Sequence, residues 1–418
     1  MRRFLSDAAF TAFSQLVSAL VAFAIQVYVA RTVSLADYGQ YASIQAFVLL
    51  VEAIFIARGG EIALQYIGQN WKINMPRALW FSKRLCLLDA IFNTLIYFVV
   101  IVLGYMLSSI LNFNWEWLAL LALTIPAQIG YGVFKSTFVV DGRFRQLAYL
   151  EITYSIVLVA LVMLLVAWNG ILGFVLALAL GAAIKTVLAR AYSQRYWPAG
   201  LEADPPEGVM SDNSELFWNA NLHSVLRNSL MNGASQGDLL ILNAMQGPEV
   251  AALYKVAKTT AAIPVRVVTP VWVASRSRIM SSMRRQDFAR IRYMLVVAGA
   301  ALVAAGAAGA VPLSHFAQPL IALAFGEAYG AASSAALWLL LGTWIFGAVS
   351  GWLNFACVIT SKKIVGSIIY FVWAVVVLVG GLCWGRESAT NMAVVSALGM
   401  ALASLIGWTY FMRKDAWI

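Results

Sequence analysis

The chain has 418 residues, of which 62% are hydrophobic and 11% charged, against about 25% charged in a soluble domain. That balance excludes a soluble globular protein and points to an integral membrane protein. The formal net charge is +10, with 29 Lys and Arg against 19 Asp and Glu.

Apolar windows of about 20 residues recur along the whole length, the pattern of helices crossing a hydrocarbon core of about 30 Å rather than of a barrel with ten-residue alternating strands. The expected fold class is therefore all-α, with spans at 10–30, 39–57, 85–107, 117–140, 148–168 and 171–189 in a first set. A second set falls at 217–245, 252–280, 293–313, 331–359, 364–384 and 391–412. The opening MRRF before an apolar run resembles a signal peptide, but the run is long, polar-striped and without a small-residue cleavage site, so it reads as the first span.

Between the sets lies the one long polar stretch, 192–216, rich in Pro, Gly and acids. Such a segment buries too little apolar surface to fold alone and reads as a linker. The expected organisation is a six-helix lobe over 1–191, the linker, and a six-helix lobe over 217–418. A faint internal echo accompanies it: SLADYGQYA from Ser34 lies over GPEVAALYK from Gly247, placing Tyr41 on Tyr254. Parallel repeats of this kind make two lobes with a cavity between them.

Positive charge is retained on the cytoplasmic side of a membrane. With the N-terminus inside, 23 of the 29 cations fall in cytoplasmic segments or towards the cytoplasmic ends of spans, two (Arg31 and Arg386) fall outside, and four lie elsewhere within spans. Both termini are expected to be cytoplasmic. The net charge is then a topology signal, and no nucleic-acid partner is implied, because the basic loops are short and separated by apolar helices.

The four intramembrane cations are Arg227, Lys255, Lys258 and Arg266. A charge at the centre of a lone membrane helix costs about 2.5–3.5 kcal/mol, so these side chains should face protein or water. At about 100° per residue Lys255 and Lys258 are one turn apart, and Arg266 returns to within about 20° of Lys255. Pro264 and Pro270 bracket Arg266 and free backbone carbonyls, which suits a bent helix or one lining a cavity. The preceding span brings Asn221, Asn228, Asn232 and Ser235 onto one arc, with Arg227 and Asp238 adjoining. Asp238 matches Lys255 and Lys258 in depth, so either that carboxylate or an external anion occupies the lysines. One acid cannot neutralise four cations, and an anionic ligand is the economical explanation.

Other spans carry polar stripes: Asp7, Thr11, Ser14, Gln15, Ser18 and Gln26 in the first, Gln45 with Glu52 in the second, Asp89 with Asn93 in the third. These imply a hydrated lumen bounded by both lobes. Asp238, Glu52 and Asp89 are candidates for ion exchange or for structural pairing, while Gln15, Gln26, Asn228 and Asn232 are candidate lumen groups. Glu151, near a cytoplasmic end, reads as a solvated interfacial carboxylate.

No G-x-x-x-x-G-K-[ST], H-E-x-x-H or D-x-D is present, and His223 and His315 are far apart in sequence. ATPase and metallohydrolase chemistry have no motif to stand on, no cofactor is expected, and an H+ or Na+ gradient is the candidate energy source. Cys86, Cys357 and Cys383 have no paired spacing and read as structural thiols.

Four segments then acquire a joint meaning: ARTVSLADYGQYA, FKSTFVVDGRFRQLAYLEI, GDLLILNAMQGPEVAALYKVAKT and FGEAYGAASSAALWLL. In order and spacing the chain resembles the polysaccharide transport family of the multidrug/oligosaccharidyl-lipid/polysaccharide exporter superfamily. The resemblance implies two six-helix bundles in a V. It further implies a flippase that carries an undecaprenyl-diphosphate-linked repeat unit from the inner to the outer leaflet of a bacterial cytoplasmic (inner) membrane by alternating access. O-antigen, as part of lipopolysaccharide, or exopolysaccharide biosynthesis would be its setting, and membrane lipids and glycan polymerase machinery its partners. Arg227, Lys255, Lys258 and Arg266 become the candidate diphosphate site, a multiply charged anion suiting a mixed Lys and Arg cluster. The alternatives are a multidrug or cation antiporter of the same superfamily, against which a cationic lumen argues, and a membrane glycan polymerase or ligase, against which the short outward loops argue.

Overall fold

The computed structural model describes residues 2–55, 75–111, 113–194, 209–263, 288–345 and 363–412, and among these the regular structure is entirely helical. Helix α1 spans Arg2–Thr32, α2 Leu35–Phe55 and α3 Met75–Leu111. α4 occupies Trp115–Val140 in three pieces, and α5 and α6 cover 144–168 and 171–194. α7 is Val209–Gln246 and α8 is 248–263. α9 is Phe288–Phe325, followed by a 3₁₀ turn at Glu327–Ala332 that leads into α10 at 333–345. α11 is Lys363–Cys383 and α12 is Ala389–Met412.

Local chemistry explains the breaks. Ser34 caps α2, its hydroxyl accepting from the Asp37 amide at 3.1 Å while it donates to the Asp37 carboxylate at 2.7 Å. Asn114 caps α4 by accepting from the amides of Glu116 and Trp117. α4 then breaks around Pro126, which has no N–H to give the helix ladder. The α5–α6 corner is Asn169–Gly170, with Gly170 at φ +51°, a value that favours glycine. Beyond it the chain returns so closely that a Cβ on Gly173 would lie 1.8 Å from the Leu165 carbonyl oxygen.

Among the described residues, seven helical stretches are long and apolar enough to cross a membrane. Their outer faces agree: along α3, Ile91, Leu95, Phe98, Val102 and Tyr105 form a stripe at one-turn spacing, each about half exposed or more. A stripe of that size facing water would be an aggregation site, whereas facing lipid it is the ordinary surface.

The chain divides into two compact units. Unit 1 comprises 1–25, 48–109 and 113–228, and unit 2 comprises 26–47, 110–112 and 229–418. In unit 1, Phe134, Leu150 and Ala189 form a buried cluster joined by Cys86, Tyr131, Leu188 and Tyr192. In unit 2, α11 and α12 pack as a pair on small residues, and α10 meets α12 where Gly342 lies against Ala397.

Of the stretch expected to be a linker, 195–208 lie outside the described residues, while its ends are helical because α6 continues to Gln194 and α7 starts at Val209. Parts of the expected spans 252–280 and 331–359 also lie outside the described residues, and with them Pro264, Arg266, Pro270 and Cys357.

Candidate functional site

α8 starts from a turn in which Gly247 takes φ +87° and Pro248 follows at the first helical position, where its missing N–H is harmless. The start is thus set so that Tyr254, Lys255 and Lys258 project from the first three turns. Asp238, on α7, is 1% exposed. It accepts from the Tyr254 hydroxyl at 2.6 Å and from the Lys258 ammonium at 2.9 and 3.2 Å. Lys258 also donates to the Ser235 backbone carbonyl. Its charge lies 5.6 Å from the centre of the Tyr254 ring, which adds a cation–π attraction.

Lys255 goes elsewhere. Its ammonium donates to the Gln45 side-chain oxygen at 2.7 Å, 210 residues away in sequence, and its carbonyl accepts from Thr259 at 2.9 Å. The two lysines share a broad face of α8, but the 60° or so between residues three apart sends one to α7 and the other to α2. Asp238 thus pairs with Lys258, while Lys255 bonds Gln45.

The remaining candidates are dispersed. Arg227 and Asn228 belong to unit 1 at its boundary, with Asn228 buried, whereas Asn232, half-buried, belongs to unit 2. Gln26 accepts from the Tyr38 hydroxyl at 2.8 Å, and Gln15 is exposed. Also on α1, the Ser18 hydroxyl meets that of Ser155 on α5 at 3.2 Å. Glu52 is half-buried on α2. Asp89 accepts the Gly130 amide at 2.6 Å, where Gly130 at φ +75° restarts α4 after its break. That is a structural cap.

Sequence reasoning passed over one constellation. Glu151 is only 20% exposed, not a solvated carboxylate. It accepts from the Tyr131 hydroxyl at 2.6 Å and pairs with Lys185 at 3.2 Å and Lys135 at 3.7 Å. Lys185 lies 4.5 and 4.7 Å from the centres of the Tyr131 and Tyr154 rings. Its signal was a lysine inside an apolar stretch of α6, which the charge count had assigned to topology alone.

Among the described residues, no group of His, Cys, Asp and Glu could hold a metal ion. Cys86 and Cys383 are free thiols.

Among the described residues the chain is all-helical, with several helices long and apolar enough to cross a membrane. The chain is similar to a multidrug resistance MATE family transporter of the MOP superfamily, solved in an inward-facing conformation, at 13% identity, with 97% of this chain and 98% of that chain covered and a TM-score of 0.76. It is also similar to a MOP superfamily transporter from Pyrococcus furiosus, at 13% identity over 98% of this chain and 96% of that chain with a TM-score of 0.68. A third likeness is to the Vibrio cholerae MATE transporter VcmN in its bent form, at 15% identity over 100% and 98% with a TM-score of 0.61. No curated protein matches the chain. The sequence belongs to the polysaccharide biosynthesis protein family, which matches residues 4–276.

Proposed function

We propose that the protein is a transporter rather than an enzyme. On this reading it moves a lipid-diphosphate-linked oligosaccharide repeat unit from the inner to the outer leaflet of a bacterial cytoplasmic membrane by alternating access, for O-antigen or exopolysaccharide assembly. On the same reading the chain makes twelve crossings in two six-helix halves, 1–191 and 217–418, with both termini cytoplasmic. Family membership supports the polysaccharide setting. The observation that carries the reading is charge: the seventh and eighth spans hold one acid against six cations, four of them (Arg227, Lys255, Lys258 and Arg266) away from the cytoplasmic end of the eighth span, and that acid is engaged by Lys258.

Lys255 and Arg266 are the first groups to meet the diphosphate, with Arg227 and Lys258 completing the cationic lining. A diphosphate presents several acceptor oxygens, which arginine forks and lysine point charges satisfy together. Asp238 or Glu52 exchanges a proton or sodium ion during the cycle, Asp238 only while its lysine is displaced; Asp89 is engaged as a cap.

The test is delivery of the repeat unit to the outer leaflet in cells carrying Lys255→Gln, Arg266→Gln or both. Delivery should fall at least tenfold in the double variant at unchanged membrane abundance, and wild-type delivery would overturn the diphosphate site. Delivery that survived collapse of both the proton and sodium gradients would remove the coupling proposal.

A further inference from the structure

Two lysines of unit 1 share one carboxylate. Glu151, on α5, is met from α4 by Lys135 at 3.7 Å and from α6 by Lys185 at 3.2 Å. The Tyr131 hydroxyl donates at 2.6 Å to the same Glu151 oxygen that faces Lys135. Neighbouring carboxylates are committed elsewhere, Asp89 to the Gly130 amide and Asp141 to Arg143. Among the described residues, then, the two lysines have Glu151 alone as their acid, and the cluster keeps one surplus positive charge.

The two lysines are held differently. Lys185 is wedged: its ammonium lies 4.5 and 4.7 Å from the centres of the Tyr131 and Tyr154 rings. One turn earlier α6 approaches α5 so closely that a Cβ on Gly181 would lie 2.8 Å from a Leu158 methyl carbon. Aromatic faces hold a cation in such a slot without neutralising it. Lys135 is freer. Its side chain is 47% exposed, its contact with Glu151 is longer than a hydrogen bond, and its ammonium stands 5.9 Å from the centre of the Tyr131 ring. Lys135 can therefore swing away from Glu151 while Lys185 and Tyr131 keep that carboxylate satisfied.

The cluster looks away from lipid. On α5 the exposed Tyr149 and Ile156 mark the outer face, and Glu151 lies about 140–160° round the helix from both. On α6 the exposed pair is Leu180 and Val187, and Lys185 is turned away from them by the same angles. One turn beyond Glu151, Ser155 donates to the Glu151 carbonyl and meets the Ser18 hydroxyl of α1. Polar groups thus continue from the cluster along the inner side of α5. A phospholipid standing against the exposed faces does not reach these lysines, whereas a headgroup drawn into the protein does.

A half-exposed lysine beside a fixed one suits an anion with several oxygens, because a diphosphate offers more acceptors and more charge than the single carboxylate already there. The charge count puts this end of α4, α5 and α6 on the cytoplasmic side. We propose that the cluster is a second anion site, which receives the diphosphate of the lipid-linked cargo at the cytoplasmic end of unit 1. Lys135 is the arm that turns to the phosphate, Lys185 supplies fixed positive charge, and Glu151 is the internal carboxylate that the phosphate displaces from Lys135. The inference rests on the transport reading above for the identity of the lipid, but the site is separate from Arg227, Lys255, Lys258 and Arg266.

The test reads the reactivity of Lys135. The full-length protein is purified into phosphatidylcholine nanodiscs containing undecaprenyl diphosphate, phosphatidylglycerol or neither, and treated with a water-soluble acylating reagent. Modification of Lys135 is quantified by mass spectrometry against the exposed Lys83. Undecaprenyl diphosphate should slow acylation of Lys135 about fivefold or more, in the wild type and equally in the Lys255→Gln, Arg266→Gln protein. Glu151→Gln removes the competing carboxylate and should lower the half-protecting concentration several-fold, an effect that a purely structural ion pair does not produce. If Glu151→Gln lowers the yield, Lys135→Gln in the Lys255→Gln, Arg266→Gln chain serves instead: the thermal stabilisation given by undecaprenyl diphosphate should be lost. Equal acylation with and without undecaprenyl diphosphate would overturn the site, and so would equal protection by phosphatidylglycerol, which assigns the lysines to anionic lipid in general. Protection by free pyrophosphate but not by undecaprenyl diphosphate would overturn the lipid-borne ligand. Repeat-unit delivery in cells separates the two readings. Protection in a protein that never delivers glycan upholds the site and refutes transport, whereas delivery without protection removes the site alone.

Discussion

Lys258 has two readings, partner of Asp238 and ligand of the cargo, and a paired substitution separates them. Lys258→Gln removes the ammonium that gives the Asp238 carboxylate both of its ion-pair contacts, at 2.9 and 3.2 Å, and leaves a 1% exposed charge with the Tyr254 hydroxyl and its own neighbouring amide. Breaking a buried pair by removing one member costs about 3–5 kcal/mol, because the other charge remains desolvated. Asp238→Asn alone strands Lys258, but that side chain is 23% exposed and keeps the Ser235 carbonyl, so about 1–3 kcal/mol is expected. The double variant Asp238→Asn, Lys258→Gln leaves two neutral amides within bonding reach of each other and of Tyr254, and should recover most of the loss. A coupling energy of about 2–4 kcal/mol is the expected result, read as midpoint shifts in thermal or denaturant unfolding of the purified protein in a fixed detergent. Additive single effects would refute the argument that Asp238 and Lys258 stabilise the fold as a unit. Transport then splits the readings: a double variant that is stable and delivers glycan at the parental rate makes Lys258 purely structural, and one that is stable but inactive assigns its charge to cargo.

Asp89→Asn weakens the cap on the Gly130 amide and should lower stability by about 1–2 kcal/mol without changing the ion dependence of transport, which a gradient-collapse assay checks. Glu151→Gln leaves Lys135 and Lys185 without their shared carboxylate and should destabilise by about 1–3 kcal/mol, measured by unfolding, with Lys185→Met in the same chain restoring part of it. Gly173→Val sets side-chain carbon against the Leu165 backbone and should abolish accumulation of the protein in the membrane, while Gly142→Ala, at a turn with open space around it but φ +70°, should cost only about 1–2 kcal/mol. The proposed orientation places Cys383, exposed at the end of α11, on the outer side, so it should react with an impermeant maleimide from outside the cell, and labelling only after lysis would reverse the orientation.

The helices could be read from the chain because their determinants are local. A run of apolar residues must satisfy its own backbone in lipid, and the punctuation is equally local: the corner at Asn169–Gly170 separates 148–168 from 171–189 where the apolar windows already parted. Pro126 and Gly130 were present in the sequence as well, but a single Pro and Gly within an apolar run do not say whether the helix bends or breaks. The break became visible with Asp89, which reaches from α3 to hold the restarted turn.

Partners of charged groups could be read only where they lie on adjacent elements. Asp238 and Lys258 are 20 residues apart on two antiparallel neighbours, so counting turns from the shared corner at Gly247 matches their depths. Gln45 and Lys255 are 210 residues apart, and no periodicity in either helix specifies that α2 crosses α8. The same limit hid Glu151, whose cations come from α4 and α6: charge counting treats each lysine as a topology marker, although a lysine side chain can carry its ammonium several ångströms along the helix to a buried acid. The echo between Ser34 and Gly247 was the one long-range hint in the chain, and it joined the segments that meet where α2 crosses α8, with Gly39 against the Pro248 carbonyl. Gly39 shows why such a hint stays faint. What the crossing requires of that position is the absence of a side chain, and an absence leaves only one letter to be noticed, whereas a buried ion pair leaves two that must match in sign and depth.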